Sequence, residues 1–170
     1  MARDKLIAIL ASMIVASLVG AQGTAQAARL ETIGGYYAPG TIVVRTQARR
    51  LFLTLGSGEA ISYPVGVGRI GKQWSGYARI DGKYVRPAWS PPREVQRAEP
   101  WLPAVVPPGP RNPMGERALT LSPGEYAIHG TNKPDSIGKF VSFGCIRMLN
   151  ADIIDLYDRV GVGTLVVVEP

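Results

Sequence analysis

The sequence predicts a mostly-β domain, a sandwich or barrel of about seven or eight strands with one short C-terminal helix and a long proline-rich loop. Short stretches of β-branched residues, separated by glycine-containing turns, indicate the strands. Residues 151–160, where apolar residues recur at helical spacing, indicate the helix. Residues 83–115, which hold nine of the fourteen prolines, indicate the loop.

The N-terminus has the pattern of a signal peptide. Arg3 and Lys5 precede a largely apolar run of fourteen residues, 6–19, and the small-residue sequence AQA follows at 25–27. Such a run has the length of a signal-peptide core and is shorter than the roughly 20 residues that span a bilayer. We therefore expect cleavage after Ala27, export to the periplasm or cell envelope, and no stable membrane span afterwards. An uncleaved N-terminal anchor is the alternative.

The remaining chain is expected to form an N-terminal arm, residues 28–39, and one domain, residues 40–170, which is long enough to bury a core. The full chain carries a formal net charge of +6 at pH 7. For an exported protein this charge favours anionic polymers such as cell-wall material as partners. Nucleic acid is not expected, because the sequence has no basic helix and no interleaving of basic and aromatic residues.

Seven segments predict strands, and they are residues 41–46, 50–55, 60–67, 76–80, 116–121, 124–128 and 164–168. The third runs into Gly66 and Gly68, and glycine in a strand often marks a close backbone approach, so this segment is expected to border a site. The prolines of residues 83–115 remove too many amides for regular structure. That excursion predicts either a wall of a substrate cleft or a structural flap.

The predicted helix has recognisable ends. Asn150 is placed to cap its first turn, and Gly161 is placed to end it. We therefore expect a short amphipathic helix over residues 151–160, followed by the last buried strand.

His129 is the only histidine of the chain and Cys145 is the only cysteine. A lone cysteine in an exported protein suggests a reactive thiol or an intermolecular bridge. A free thiol with a pKa of about 8.5 is mostly protonated at neutral pH, and a nearby imidazole can take its proton. The strand at 124–128 leads into His129 and places its ring on the face opposite Tyr126 and Ile128. The pair predicts a cysteine nucleophile with a histidine base; a buried, inert thiol is the alternative.

The residues around the cysteine indicate how it is presented. Gly144 allows a sharp backbone turn, after which the amides of Gly144 and Cys145 are expected to point at a developing oxyanion. Arg147 lies on the same side of an extended segment, where its planar guanidinium suits a substrate carboxylate. The alternative for Arg147 is an ion pair with one of three aspartates of the following helix, Asp152, Asp155 or Asp158.

These residues lie in two runs, HGTNKPDSIG at 129–138 and SFGCIRM at 142–148. Together the runs resemble the signature of the YkuD-type L,D-transpeptidase catalytic domain, in its ErfK/YbiS-like branch. The runs YPVGVGR at 63–69 and PPGPRNPMG at 107–115 resemble two further stretches of that branch. The resemblance extends over residues 40–169, nearly all of the chain that follows the expected cleavage site.

The resemblance implies a YkuD-like fold and an enzyme of the bacterial cell wall. In that family a cysteine thiolate attacks the carbonyl of the third residue of a peptidoglycan tetrapeptide stem and expels the terminal D-Ala. An amine then resolves the acyl-enzyme. It belongs to a second stem, which gives a 3-3 cross-link, or to a lysine of an outer-membrane lipoprotein. No metal or organic cofactor is implied, and one histidine with one cysteine does not make a zinc site.

Carried over by motif position, Cys145 is the nucleophile, His129 is the base, and the backbone of Gly130 or Thr131 orients the imidazole. The remaining motif positions are filled by Ser142 and Arg147, which are expected to contact substrate, and by Gly144, which is expected at the oxyanion.

Two positions depart from the family pattern. The family commonly has His or Arg between the serine and glycine of the second motif, where this chain has Phe143, so the activity is expected to be lower or the acceptor different. The family also has Thr-Pro where this chain has Trp74 and Ser75. A cysteine hydrolase of the same fold and a catalytically idle wall-binding module are the alternatives. A sortase-like enzyme fits the close spacing of His129 and Cys145 poorly.

Overall fold

The computed structural model describes residues 28–170. This part of the chain contains two α-helices, α1 (Arg93–Ala98) and α2 (Asn150–Arg159), and a 3₁₀ turn at Pro134–Ser136. Its strands are, in chain order, β1 (Arg29–Thr32), β2 (Ile42–Arg45), β3 (Arg50–Gly56), β4 (Glu59–Pro64), β5 (Val67–Gly68), β6 (Gly76–Val85), β7 (Arg117–Ser122), β8 (Tyr126–His129), β9 (Phe140–Ser142), β10 (Ile146–Arg147) and β11 (Leu165–Glu169). The expected signal peptide lies outside the described residues. Neither described helix is long and apolar enough to cross a membrane.

Nine of the strands form one mixed sheet, in the order β1-β4-β3-β2-β11-β6-β7-β8-β10, and β5 pairs with β9 in a second, two-stranded sheet. The last strand, β11, lies inside the large sheet, parallel to β2 and antiparallel to β6. The edge strand β10 runs parallel to β8. A bridge between Gly66 and Arg147 ties this edge to the segment between β4 and β5. The glycine-rich third segment therefore borders the β10 edge.

The predicted fold class, mostly β with a short C-terminal helix, is confirmed. Each of the seven predicted strands has a counterpart, and the segment at 60–67 divides into β4 and β5. The strand count exceeds the prediction because β1, β5, β9 and β10 have only two to four residues each. Segments that short carry too little alternation to be recognised. Strand β1 lies in the predicted N-terminal arm and pairs with β4.

The main core lies between the large sheet and α2. Alternate residues of the strands point to this side, including Val44 of β2, Leu119 of β7 and Ile128 of β8, all fully buried. Helix α2 covers them with Ile153 and Leu156, which are also fully buried. Burial of side chains of this size stabilises the fold by about 1.5–3 kcal/mol each. The core thereby fixes which residues of β8 face inward and which face the opposite side.

The prediction that Asn150 caps α2 is wrong. Leu149 occupies the cap position, and no side-chain hydrogen bond forms there. The Asn150 side chain bonds instead to the backbone of the loop after β8. At the other end of the helix Lys83 donates to the carbonyl oxygens of Tyr157 and Val160, each at 2.6 Å. A cation in this place satisfies free carbonyls and complements the helix dipole.

The proline-rich excursion contains more regular structure than predicted. Strand β6 continues to Val85, and α1 forms between Pro92 and Pro100. The prediction that no strand or helix survives in residues 83–115 is therefore wrong for these two stretches. The physical reason is that the prolines flank them, so that the amides inside each stretch remain available for hydrogen bonding.

A single buried side chain holds the rest of the excursion together. The side-chain amide of Asn112, 1% exposed, donates to the carbonyl oxygens of Pro87 at 2.9 Å and of Val106 and Pro107 at 3.1 Å. Trp89 and Val106 also pair through their backbones. Three backbone carbonyls of this proline-rich segment are thus bound by one buried amide.

Candidate active site

A cleft of about 1360 Å³ lies between the β8–β10 edge of the large sheet and the proline-rich excursion. The sheet contributes His129, Cys145 and Arg147, and the excursion contributes α1 and the turn around Met114. The excursion therefore forms one wall of this cleft, and binding of substrate in the cleft stays a prediction. The volume is ample for a peptide segment.

The pairing of β8 with β10 places the cysteine and the histidine on one side of the sheet. In this parallel pair Ile146 lies beside Ile128, and Arg147 lies beside His129. Both isoleucines point into the core, so their neighbours along each strand face the cleft. Cys145 is then one strand across and two residues back from His129, a backbone separation of about 8 Å in a standard sheet. Both side chains line the same cleft.

The imidazole of His129 is held by the backbone that follows it. Its Nδ1 atom lies 2.6 Å from the carbonyl oxygen of Gly130. A carbonyl only accepts hydrogen bonds, so Nδ1 carries the hydrogen and the neutral ring has its free lone pair on Nε2. Pro113, in the excursion, lines the same cleft. The Gly130 carbonyl therefore sets the tautomer and the orientation of the ring.

Burial keeps both reactive groups neutral at pH 7. Burial lowers the pKa of His129 to about 4, and the charge of Arg147 acts in the same direction. Burial raises the pKa of the Cys145 thiol, against the opposing effects of the Ala127 backbone and of Arg147. At pH 7 the imidazole is thus unprotonated, and the thiol keeps a partly exposed surface. Attack by the sulfur then requires that the thiol proton pass to the imidazole.

The turn before the nucleophile is tied by Ser142. The Ser142 hydroxyl donates to the carbonyl oxygen of Cys145 at 2.6 Å and accepts from the amide of Gly144 at 3.0 Å. Ser142 is 2% exposed. The hydroxyl hydrogen is therefore used inside the turn. Its position favours a role in shaping the turn over the predicted contact with substrate.

Gly144 has the strained conformation that the sequence predicted for a sharp turn. Its φ is +124°, and a Cβ at this position would collide with the ring of Tyr126. Its amide, however, already donates to Ser142 and does not point freely into the cleft. This hydrogen bond argues against the predicted contact of the Gly144 amide with an oxyanion. The Cys145 amide has no hydrogen-bond partner among residues 28–170 and is the donor that remains.

Trp74 supports this turn from the outside. Its indole nitrogen donates to the carbonyl oxygen of Gly144 at 3.0 Å. Its ring stacks on Tyr126 with the centroids 4.8 Å apart and the planes 5° from parallel. The tryptophan that departs from the family pattern thus holds the residue before the nucleophile. Sequence analysis did not predict these two contacts, because Gly144 and Tyr126 lie far from Trp74 along the chain.

Arg147 faces the cleft, and its guanidinium forms no ion pair with the aspartates of α2. Asp155 pairs with Arg159 and accepts a hydrogen bond from Tyr63. Burial lowers the pKa of Arg147, while the nearby charges of Cys145 and Glu99 raise it. The alternative that Arg147 pairs with an aspartate of the helix is therefore wrong.

Phe143 also lines the cleft, beside the nucleophile. The guanidinium of Arg69 lies 3.9 Å from the centroid of its ring, a cation–π contact. A positive charge therefore lies close to the position where the family has a polar side chain.

The two candidate orienting residues differ. Gly130 provides the carbonyl that contacts the imidazole. Thr131 does not touch the ring; its amide and carbonyl are bound by the side chain of Asn150, at 3.2 and 3.0 Å. No cluster of metal-binding side chains is found within residues 28–170. The site is thus built from a thiol, an imidazole, a guanidinium and backbone groups.

Comparison with known protein families gives one match over most of the chain. Residues 39–168 match the sequence model of the YkuD family, described as the L,D-transpeptidase catalytic domain. The chain is 39% identical over 135 residues to the probable L,D-transpeptidase YbiS of Escherichia coli strain K12, covering 75% of this chain and 43% of that protein. The chain therefore spans less than half the length of this relative.

A second relative is matched over more of its length. The chain is 36% identical over 134 residues to the putative L,D-transpeptidase YkuD of Bacillus subtilis strain 168, covering 78% of this chain and 68% of that protein. It is also 40% identical over 134 residues to the probable L,D-transpeptidase ErfK/SrfK of Escherichia coli strain K12, covering 74% of this chain and 42% of that protein.

Solved structures show the same fold at low sequence identity. The catalytic domain of an E. faecium L,D-transpeptidase acylated by ertapenem matches with a TM-score of 0.60 and 16% identity, covering 79% of this chain and all of that one. L,D-transpeptidase 3 from Mycobacterium tuberculosis matches with a TM-score of 0.58 and 15% identity, covering 76% of this chain and 60% of that one. At these identities the likeness concerns the fold alone.

Proposed function

Because this chain belongs to the YkuD family of L,D-transpeptidase catalytic domains, we propose that it is a cysteine L,D-transpeptidase acting on peptidoglycan stem peptides. The match to the family model confirms the YkuD family that the motifs resemble. The similarity to YbiS and ErfK/SrfK agrees with the ErfK/YbiS-like branch. The observation that carries the proposal is that Cys145, immediately before β10, and His129, the last residue of the neighbouring β8, both line one cleft.

The first half of the reaction forms a thioester. The Cys145 sulfur attacks the carbonyl carbon of the third residue of a tetrapeptide stem, while Nε2 of His129 takes the thiol proton. The resulting tetrahedral intermediate carries its negative charge on oxygen. Its collapse breaks the peptide bond and expels the terminal D-Ala, whose amine takes the proton back from His129. The Gly130 carbonyl, on the Nδ1 side, stabilises the imidazolium that forms in between.

The second half of the reaction transfers the acyl group to an amine. The acceptor amine attacks the thioester carbonyl, His129 takes a proton from the amine, and the Cys145 thiolate leaves and is reprotonated. An amine on a second stem gives a 3-3 cross-link. A lysine of an outer-membrane lipoprotein gives attachment of that lipoprotein to the wall. Both acceptors are consistent with the same pair of side chains.

The oxyanion and the substrate carboxylates each have a candidate partner. The amide of Cys145 is the proposed oxyanion donor, because the Gly144 amide is already bonded to Ser142. Arg147 is the proposed partner of a stem carboxylate, since it faces the cleft next to His129 and forms no ion pair with an aspartate of α2. Such a charge-assisted pair would orient the scissile carbonyl toward the sulfur.

The proposal includes a place in the cell. The signal-peptide pattern of residues 1–27 and the net charge of +6 support export and association with the anionic cell wall. Periplasmic location and lipoprotein attachment are parts of the proposal that follow from the sequence pattern and the family.

The test is incubation of purified protein with disaccharide-tetrapeptide muropeptides, followed by mass spectrometry. We expect cross-linked dimers that have lost one D-Ala, none of them with Cys145→Ala, and a one-to-one imipenem adduct on the wild-type thiol. Free shortened stems without dimers would support the hydrolase instead. The absence of both product and adduct would support an idle wall-binding module and overturn the proposal.

A further inference from the structure

Asn150 connects three backbone segments close to the active site. Its Oδ1 atom accepts hydrogen bonds from the amides of Glu116 and Thr131, each at 3.2 Å. Its Nδ2 atom donates to the carbonyl oxygen of Thr131 at 3.0 Å. As the first residue of α2, it thus joins the start of the helix to the loop after β8 and to the start of β7.

The approach of these segments depends on two glycines. A Cβ on either Gly115 or Gly130 would collide with the Oδ1 atom of Asn150. Gly115 also has a φ of +66°, which a residue with a side chain rarely adopts. The absence of a side chain at Gly115 and Gly130 therefore leaves room for the side-chain amide of Asn150. An ordinary helix cap would need neither glycine.

One segment that Asn150 holds contacts the imidazole directly. The Thr131 amide that donates to Asn150 belongs to the same peptide unit as the Gly130 carbonyl, whose oxygen lies 2.6 Å from Nδ1 of His129. On the other side, Glu116 follows the turn that begins at Pro113, which lines the cleft together with His129. One side-chain amide thus holds the peptide that contacts the histidine and ties it to the opposite wall of the cleft.

We propose that Asn150 is a positioning residue, which keeps the His129 imidazole as the Nδ1–H tautomer with Nε2 directed toward Cys145. It acts through the Gly130 carbonyl and touches neither the thiol nor the substrate. The inference deepens the proposed function, because it depends on His129 acting as the base. A loss of the Asn150 amide would let the Gly130 carbonyl move, and a displacement of 1 Å in such a site can lower the rate about 100-fold.

The tautomer can be measured without any catalytic assay, since the chain has one histidine. Long-range ¹H–¹⁵N correlation spectra of untagged protein with labelled imidazole should show a single Nδ1–H tautomer in the wild type. In Asn150→Ala we expect a mixture of the two neutral tautomers. An unchanged spectrum of the folded variant would overturn the inference, whether or not the protein is a transpeptidase.

The kinetic test is a double-mutant cycle with imipenem acylation as the readout. Asn150→Ala should lower the acylation rate constant about 10–100-fold, with little change in the concentration that gives half-maximal rate. In a His129→Ala background the same substitution should change the rate less than about 2-fold, because the residue through which it acts is gone. Equal losses in both backgrounds would mean a general structural role and would overturn the inference.

Two further variants keep the test decisive. Tyr63→Phe removes another side-chain hydrogen bond to α2, the 2.6 Å bond to Asp155, far from the histidine loop. It should lower stability and leave the histidine tautomer and the acylation rate unchanged.

Asn150→Asp keeps the acceptor and loses the donor to Thr131, so we expect a smaller loss in the acylation rate, about 2–5-fold. If Asn150→Ala does not fold, Asn150→Asp becomes the deciding variant. A histidine spectrum and an acylation rate equal to those of the wild type in Asn150→Asp would then overturn the inference.

Discussion

The indole nitrogen of Trp74 donates a hydrogen bond to the carbonyl oxygen of Gly144, 3.0 Å away. Trp74 lies just before β6, and Gly144 precedes the cysteine in the edge of the sheet formed by β8 and β10, so the bond ties two distant parts of the chain. The Gly144 carbonyl belongs to the peptide that joins Gly144 to Cys145, so the hydrogen bond from Trp74 also restrains the backbone of the nucleophile.

Trp74→Phe should separate this hydrogen bond from the stacking on Tyr126, which a phenyl ring can keep. We expect a loss of about 1 kcal/mol in the free energy of unfolding and a several-fold slower acylation of Cys145. Chemical denaturation and imipenem acylation measure the two effects. The matched control is Trp101→Phe, at an exposed tryptophan of the excursion, which should change neither. Acylation at the wild-type rate in Trp74→Phe would show that the bond is not needed.

Gly144→Ala should be poorly tolerated. The residue has a φ of +124°, and an added Cβ would collide with Tyr126. We expect a loss of at least about 1–2 kcal/mol from the backbone conformation alone, with a further loss from the collision. The control is Gly161→Ala, where the backbone is ordinary and the added Cβ would meet open space. Thermal melting of both variants measures the difference, and equal melting temperatures would contradict this account of the turn.

Arg147→Gln should shift the pH dependence of acylation. The positive charge of Arg147 lowers the pKa of His129 and also lowers that of Cys145. Removing it favours the protonated imidazole and disfavours the thiolate, so both pKa values rise. We expect the acid limb of the rate profile to move to higher pH, and alkylation of the thiol to require more alkaline conditions.

The control for this shift is Arg159→Gln, which removes an exposed arginine that pairs with Asp155 on α2. Its pH profile should match that of the wild type. An acid limb of Arg147→Gln that stays in place, or moves to lower pH, would contradict the assigned direction.

Asp152 gives a prediction on stability. It is buried in the first turn of α2, and one carboxylate oxygen has no hydrogen-bond partner in the described part of the chain. Burial raises its pKa from 3.8 to about 6. The folded state therefore binds more protons than the unfolded state between about pH 4 and pH 6. The stability that the protonated acid provides is complete below the unfolded pKa and is lost as pH rises through the folded pKa.

Asp152→Asn should therefore raise the free energy of unfolding at pH 7 by about 1–3 kcal/mol and flatten its pH dependence between pH 4 and pH 6. Urea denaturation at several pH values measures this. Asp158→Asn, at an exposed position of the same helix, should change stability by no more than about 0.5 kcal/mol. A destabilised Asp152→Asn would indicate that the carboxylate has a favourable partner when charged.

Local patterns in the sequence were sufficient for much of the fold. The alternation of β-branched residues predicted the strands on either side of the excursion, and the apolar spacing at Ile153 and Leu156 predicted α2. The two-residue strands β5 and β10 could not be predicted in this way. Strand β5 exists because it pairs with β9, and β10 exists because it pairs with β8, and both are contacts between segments distant in the sequence.

The residues of the site also fall into two groups, those whose roles the sequence predicted and those whose roles only the structure shows. The sequence, through residue chemistry and motif spacing, determined by itself that Cys145 and His129 form the candidate reactive pair and that a polar, glycine-bearing turn presents the thiol. Only the tertiary structure decided that Ser142 and Gly144 bond to each other, that Trp74 supports the turn, and that Asn150 holds the loop beside the imidazole.

The physical reason is the range over which each effect acts. Reactivity and turn formation depend on a residue and its near neighbours, which a sequence displays directly. Which partner a hydrogen-bonding side chain binds depends on what folding brings within about 3 Å of it. Asn150 has the composition and position of a helix cap, yet its amide bonds to backbone 19 and 34 residues away.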